Sequence, residues 1–198
     1  MTTANIPSHI FPTVHEPAQG VDTACVLWFT GLSGAGKSTI AQALLRRLRA
    51  LGRAGYILDG DNLRAGLNND LGFSEEDRAE NQRRVAEVAK LFIDAGMVSI
   101  VATISPLQEM RSMARRTIGA ERFIEIFIDT PKQVCEERDP KQLYKNARQG
   151  LVRNFTGIDS RYEPPSHPDL QLDTTALSAD ACADNIIALL AERGVLPA

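Results

Sequence analysis

The stretch CVLWFTGLSGAGKST, Cys25 to Thr39, constrains this chain more than any other. Its first part is a short apolar run that reads as a buried strand. It breaks into a glycine-rich turn. Behind the turn Ile40, Ala41, Leu44, Leu45, Leu48 and Leu51 recur at helical spacing, and Gly52 suits the helix end. Gly31, Gly36, Lys37 and Ser38 satisfy the pattern G-x-x-x-x-G-K-[ST]. The glycines let the backbone curl until its N–H groups face phosphate oxygens. The lysine reaches the β- and γ-phosphates, and the serine hydroxyl can ligate Mg²⁺. The helix that follows offers its positive N-terminal end to the same anion.

Strand and helix signals keep alternating beyond this loop. GYIL reads as a second strand, MVSIVAT as a third, RFIEIFI as a fourth and DLQLD as a short last one. A long helix is expected from Ser74 to Asp94, with Ser74 and Asp77 at its start and Val85, Val88, Ala89, Phe92 and Ile93 on its apolar face. Pro106 is expected to open the next helix, Thr130 and Pro131 another, and Ser178 to cap the closing one. Such alternation predicts a three-layer α/β fold of the P-loop NTPase type, a mostly parallel sheet with helices on both faces. Residues 1–22, with Pro7, Pro12 and Pro17, read as a loosely ordered extension, and residues 23–198 as one domain.

The 198 residues carry a formal net charge of −3, which argues against a nucleic-acid polymer or an anionic membrane as partner. The three cysteines form no CxxC pair, so a reducing cytoplasm is the simplest home. No apolar run approaches transmembrane length.

The phosphate loop alone does not say what receives a phosphate. In YILDGDNLRAGL, Asp59 and Asp61 fall at the carboxyl end of the second strand, the edge where open parallel sheets bind ligands. Phosphoryl transfer needs a carboxylate for the attacking hydroxyl and carboxylates for the Mg²⁺ shell. The bland alternative is an Asp-Gly turn with Asp61 capping a short helix. Arg64, Phe73, Arg78 and Asn81 follow at spacings that bring cations, an amide and a ring together, a set suited to an anionic ligand with a flat base. Arg78 also reads as an ordinary surface charge. Ser105 either caps the next helix or touches the ligand. The polar segment 138–168, with Arg138, Lys141, Lys145, Arg148, Arg153 and Phe155, has the cations of a mobile lid.

Taken in order, GLSGAGKST, LDGDNLR, LNNDLGFSEEDRAEN, ISP, RDPKQLY and NFTGID closely resemble the adenylylsulfate kinase family, from about Cys25 to Thr175. The resemblance implies transfer of the γ-phosphoryl of ATP, with Mg²⁺, to the 3′-hydroxyl of adenylyl sulfate. It implies an ATP site of Gly31, Leu32, Ser33, Gly34, Ala35, Gly36, Lys37, Ser38 and Thr39, with Arg138 near the ATP base. Asp61 would be the base and Lys37 the phosphate cation. Ser105 matches a family phosphoserine position. Ser38 and Asp59 would serve the metal. For the acceptor it implies Asp59, Arg64, Arg78, Asn81, Ile104, Ser105 and Lys145, with Phe73 and Phe155 sandwiching adenine. A cytoplasmic homodimer and association with ATP sulfurylase are further implications. After ISP the family's usual aromatic-Arg-x-acid-Arg is replaced by Leu107 to Arg111. The rivals are a kinase for a nucleoside monophosphate or sugar acid, and a nucleotide-binding module without turnover.

Overall fold

The computed structural model describes residues 24–196. The order is β1 (Val26–Thr30), α1 (Lys37–Ala50), β2 (Gly55–Asp59), α2 (Gly60–Ala65), α3 (Glu75–Asp94) and β3 (Val98–Ala102). Then come α4 (Gln108–Ile118), β4 (Phe123–Asp129), α5 (Lys132–Arg138), α6 (Leu143–Arg148), β5 (Leu170–Asp173) and α7 (Ala179–Glu192). The five strands pair in parallel in the order β2-β3-β1-β4-β5. The extension expected over residues 1–22 lies outside the described residues.

Why apolar runs become strands here follows from burial on both faces. Along β1, Leu27 and Phe29 point into a core with Ile40, Leu44 and Leu48 of α1 and Ile186 and Leu190 of α7. Val26 and Trp28 point the other way, to Val85, Ala89 and Ile93 of α3 and Ala114 and Ile118 of α4. All five β1 residues are therefore buried. The helix signals also hold: the Ser74 side chain accepts from Asp77 N, and Ser178 accepts from Ala181 N.

Two local expectations are corrected. Helix α4 begins at Gln108 with Leu107 at its cap position, so Pro106 precedes the helix rather than opening it, and Ser105 caps nothing. It is Asp59, not Asp61, that caps α2, its Oδ1 accepting from Asp61 N at 3.0 Å.

One buried ion pair ties the far side of the sheet to this edge. Arg111 Nε lies 2.7 Å from Glu125 Oε1, with the side chains 1% and 6% exposed. The angle is wrong for a hydrogen bond there, so the contact is coulombic. The rest of the guanidinium donates to the carbonyl oxygens of Ser105 and Glu163, each at 2.8 Å. Removing one partner strands a buried charge. Arg111→Met is expected to lower stability by about 3–5 kcal/mol, read by urea unfolding, whereas an exposed pair such as Arg122 with Asp94 should cost about 1 kcal/mol or less.

Candidate active site

The ligand edge is the carboxyl end of the sheet, where β1 and β3 each release a loop and β2 passes straight into α2. After β1 the chain turns through Gly34 and Gly36 with φ of 78° and 104°. A Cβ on Gly34 would stand 2.7 Å from the Cys135 carbonyl oxygen, so the turn has no room for a side chain. Gly36 precedes α1 without any side-chain cap, and no acidic residue occupies the first turn. The helix N-terminus is thus left for an anion.

Lys37 opens α1 and is 8% exposed. Its Nζ donates to the carbonyl oxygens of Gly31 at 2.9 Å and Leu32 at 2.8 Å. Burial pulls its pKa down to about 8. Ser38 Oγ donates to Asp59 Oδ2 at 2.7 Å, which brings a hydroxyl and a carboxylate to the mouth of the loop. Two hard oxygen donors beside a phosphate site suit Mg²⁺, which takes few protein ligands and completes its shell with phosphate and water. The described residues contain no denser cluster of His, Cys, Asp and Glu that could hold a metal ion.

A single cavity of about 760 Å³ joins this loop to the ends of β2 and β3. Ser33 to Thr39, Asp59, Asp61, Arg64, Phe73, Arg78, Asn81, Ile104, Ser105, Arg138, Lys141, Arg153 and Phe155 all line it. Gly31 and Leu32 stand behind the wall, giving their carbonyls to Lys37. Lys145 does not line the cavity, contrary to expectation. It is exposed on α6, and its backbone N–H, like that of Tyr144, is capped by the Asp139 carboxylate. Arg148 also points outward, to Glu136.

Each remaining residue has a definite hold. Arg64 Nη1 donates to Gly72 O at 2.8 Å, and its guanidinium lies 4.4 Å from the Phe73 ring centroid. Arg78 is no free surface charge: Nε donates to Phe73 O at 3.1 Å, Nη1 to Thr156 Oγ1 at 2.9 Å, and Nη2 to Asn154 O. Burial shifts the pKa of both arginines downward. Asn81 is 3% exposed and its Oδ1 accepts from Asn68 Nδ2 at 2.9 Å. Phe73 is 54% exposed, whereas Phe155 is buried with its ring edge-on to Tyr144, centroids 4.9 Å apart. Lys141 pairs with Asp61. Arg138 donates to Thr174 O and Oγ1, both at 2.9 Å.

Ser105 departs from expectation. It is fully buried, with a left-handed φ of 45°. Its hydroxyl accepts from Trp28 Nε1 at 2.8 Å, donates to Gln82 Oε1 at 2.9 Å, and lies 2.8 Å from Thr103 Oγ1. An internal network therefore holds the hydroxyl. Gln82 and Thr103 are cavity residues that were not singled out as site residues from the sequence.

The sheet order, the phosphate loop after β1 and the paired aspartates after β2 define a P-loop phosphotransferase. The family model for adenylylsulphate kinase matches residues 23–173. The adenylyl-sulfate kinase of Marinobacter nauticus is 56% identical over 172 residues, 87% of this chain and 86% of that protein. The bifunctional enzyme NodQ of Azospirillum brasilense is 52% identical over 186 residues, 94% of this chain but 30% of that protein. Among solved structures, the Mycobacterium tuberculosis APS kinase CysC in complex with AMPPNP and APS is 52% identical, with a TM-score of 0.81, covering 84% of this chain and 97% of that one. The chain belongs to the adenylylsulfate kinase family, as its motifs led one to expect.

The buried lysine has a consequence in pH. A neutral amine cannot pair with phosphate, and kcat/KM reports the free enzyme. The kcat/KM for ATP is therefore expected to fall as pH rises through about 8, the Lys37 value. Bound polyphosphate favours the ammonium, so kcat at saturating ATP should stay level to higher pH. A pH profile of both parameters checks this.

Proposed function

We propose that this chain transfers the γ-phosphoryl of ATP to the 3′-hydroxyl of adenylyl sulfate, giving 3′-phosphoadenylyl sulfate and ADP, through the residues assembled above. The observation that carries the reading is that the phosphate loop and the Asp61, Arg64, Phe73, Arg78 and Asn81 group share one cavity. Lys37 and the N-terminus of α1 hold the donor phosphates. Mg²⁺, held by Ser38 and Asp59, would neutralise charge on the β- and γ-phosphates. Asp59 is already engaged by Ser38 and by the α2 cap, while among the described residues the exposed Asp61 carboxylate pairs with the exposed Lys141. That division supports Asp61 as the base for the acceptor hydroxyl. Arg64, Arg78 and Asn81 bind the anionic end of the acceptor, and Phe73 and Phe155 take its adenine. Ile104 and Ser105 supply backbone to the wall between them, and Arg138 sits toward the ATP base.

Residues 23–198 are proposed as the kinase domain. Among the described residues no helix is long and apolar enough to cross a membrane. A cytoplasmic homodimer working beside ATP sulfurylase fits this reading; NodQ, named a bifunctional enzyme, carries a second activity beside the region this chain matches.

The test is ADP formation from Mg-ATP with adenylyl sulfate, beside AMP, gluconate and shikimate. Turnover is expected with adenylyl sulfate alone. Asp61→Asn should lower kcat by about 10²–10⁴-fold, with ATP binding retained. Full turnover in that variant would remove Asp61 from the chemistry.

Phe73 separates binding from folding, because it is more than half exposed. Losing one face of a base stack costs about 1–3 kcal/mol. Phe73→Ala should therefore raise KM for adenylyl sulfate about tenfold and leave KM for ATP and the unfolding midpoint alone. Steady-state kinetics with each substrate varied in turn reads the difference.

A further inference from the structure

Gln82 is the one buried polar residue of α3 that the reaction scheme above does not use. It is 4% exposed and lines the cavity beside Asn81, Thr103 and Ser105. Its Oε1 lies 2.9 Å from Ser105 Oγ and 3.2 Å from Thr103 Oγ1, in reach of both hydroxyls. Nothing among the described residues pairs with its Nε2, yet Nε2 is not sealed in the core.

Proton counting fixes which way this amide faces. The indole Nε1 of Trp28 is a donor only, so Ser105 Oγ must accept from it. Ser105 and Thr103 then have two hydroxyl protons to place. The 2.8 Å contact between them takes one. The other needs an acceptor, and the Gln82 carbonyl is the one this network holds. Turning the amide over would leave a buried hydroxyl proton without a partner, which costs about 1–3 kcal/mol. The carbonyl end of Gln82 therefore faces inward and the NH₂ end faces the cavity.

We propose that Gln82 is a further acceptor-binding residue, its Nε2 donating to the anionic end of the acceptor, and that the Trp28–Ser105–Thr103 chain is what orients it. The inference rests on the proposed reaction. It gives the buried Ser105 hydroxyl a positioning role. It also makes a second amide, adjacent to Asn81 on α3, part of the anion site.

Gln82→Glu isolates the donor. One carboxylate oxygen still accepts the remaining hydroxyl proton of the Ser105–Thr103 pair, while the other puts an acceptor where the NH₂ was. Equilibrium binding to the full chain loaded with ADP should show adenylyl sulfate weakened at least about tenfold. Adenosine, which lacks the anionic group, should bind as it does to wild type, and KM for ATP should not move. Gln82→Met, which cannot repel the anion, should weaken adenylyl sulfate about fivefold by the same comparison and carries the test if the glutamate variant does not fold. Equal loss for adenylyl sulfate and adenosine would make Gln82 a packing residue and overturn the proposal. So would unchanged adenylyl sulfate binding in the glutamate variant. A wild type that neither binds nor phosphorylates adenylyl sulfate would instead bring down the reaction on which the proposal stands.

Discussion

The site depends on one buried cation. Lys37 is placed where water is scarce, and its ammonium donates to two carbonyl oxygens, with Asp59 and Asp61 acting only at longer range. Two carbonyls do not replace hydration fully, which is why its affinity for the proton drops. An arriving polyphosphate supplies the missing countercharge, so part of the desolvation cost is met in advance by the fold. The rest of the architecture serves this placement. The fully buried β1 holds the start of the loop, Gly34 passes close under the Cys135 carbonyl, and Gly36 launches α1 with its amide ends free.

The same edge explains how the two halves of the cavity are bound together. Tyr144 donates its hydroxyl to the Ser33 carbonyl of the phosphate loop at 3.1 Å, while its ring supports Phe155 on the acceptor side. Arg78 reaches from α3 to Asn154 and Thr156 in the same segment. Residues 139–160 are therefore a strap across the cavity rather than a free lid. They are fastened at the donor end by an aromatic hydroxyl and at the acceptor end by a guanidinium. Only the Lys141 contact with Asp61 is made between two exposed side chains, so it is the weak point of the strap.

Most of the scaffold was legible because its physics is repetitive. A parallel strand covered on both sides reads as a nearly continuous apolar run, as in β1, β3 and β4, whereas the edge strands β2 and β5 were legible from shorter, partly exposed apolar runs. Helix starts were legible where a side chain does the capping, as at Ser74 and Ser178. They were not legible where the backbone alone decides. Helix α4 has no capping side chain, and the left-handed turn at Ser105 that precedes it is held by Arg111 from within α4 and by Thr30 and Trp28, both distant in sequence. A local pattern cannot report a conformation imposed from elsewhere in the fold.

The site divides the same way. The phosphate loop and the aspartates after β2 were legible, since their chemistry lies in contiguous residues. The strap was only partly so: a count of cations there could not tell Lys141, which turns inward, from Lys145 and Arg148, which turn out. The left-handed Gln142 between Lys141 and α6 decides that, and it leaves no mark in composition. Gln82 did leave a mark. It precedes Val85, Ala86 and Ala89 by three, four and seven residues, so it lies on the buried stripe of α3. A polar side chain on a buried stripe must have partners, or it would be too costly to keep there. Half of Gln82 finds them in the serine and threonine after β3. The other half meets no group among the described residues, and an amide with one satisfied end at the wall of an anion site has a ligand as its natural second partner.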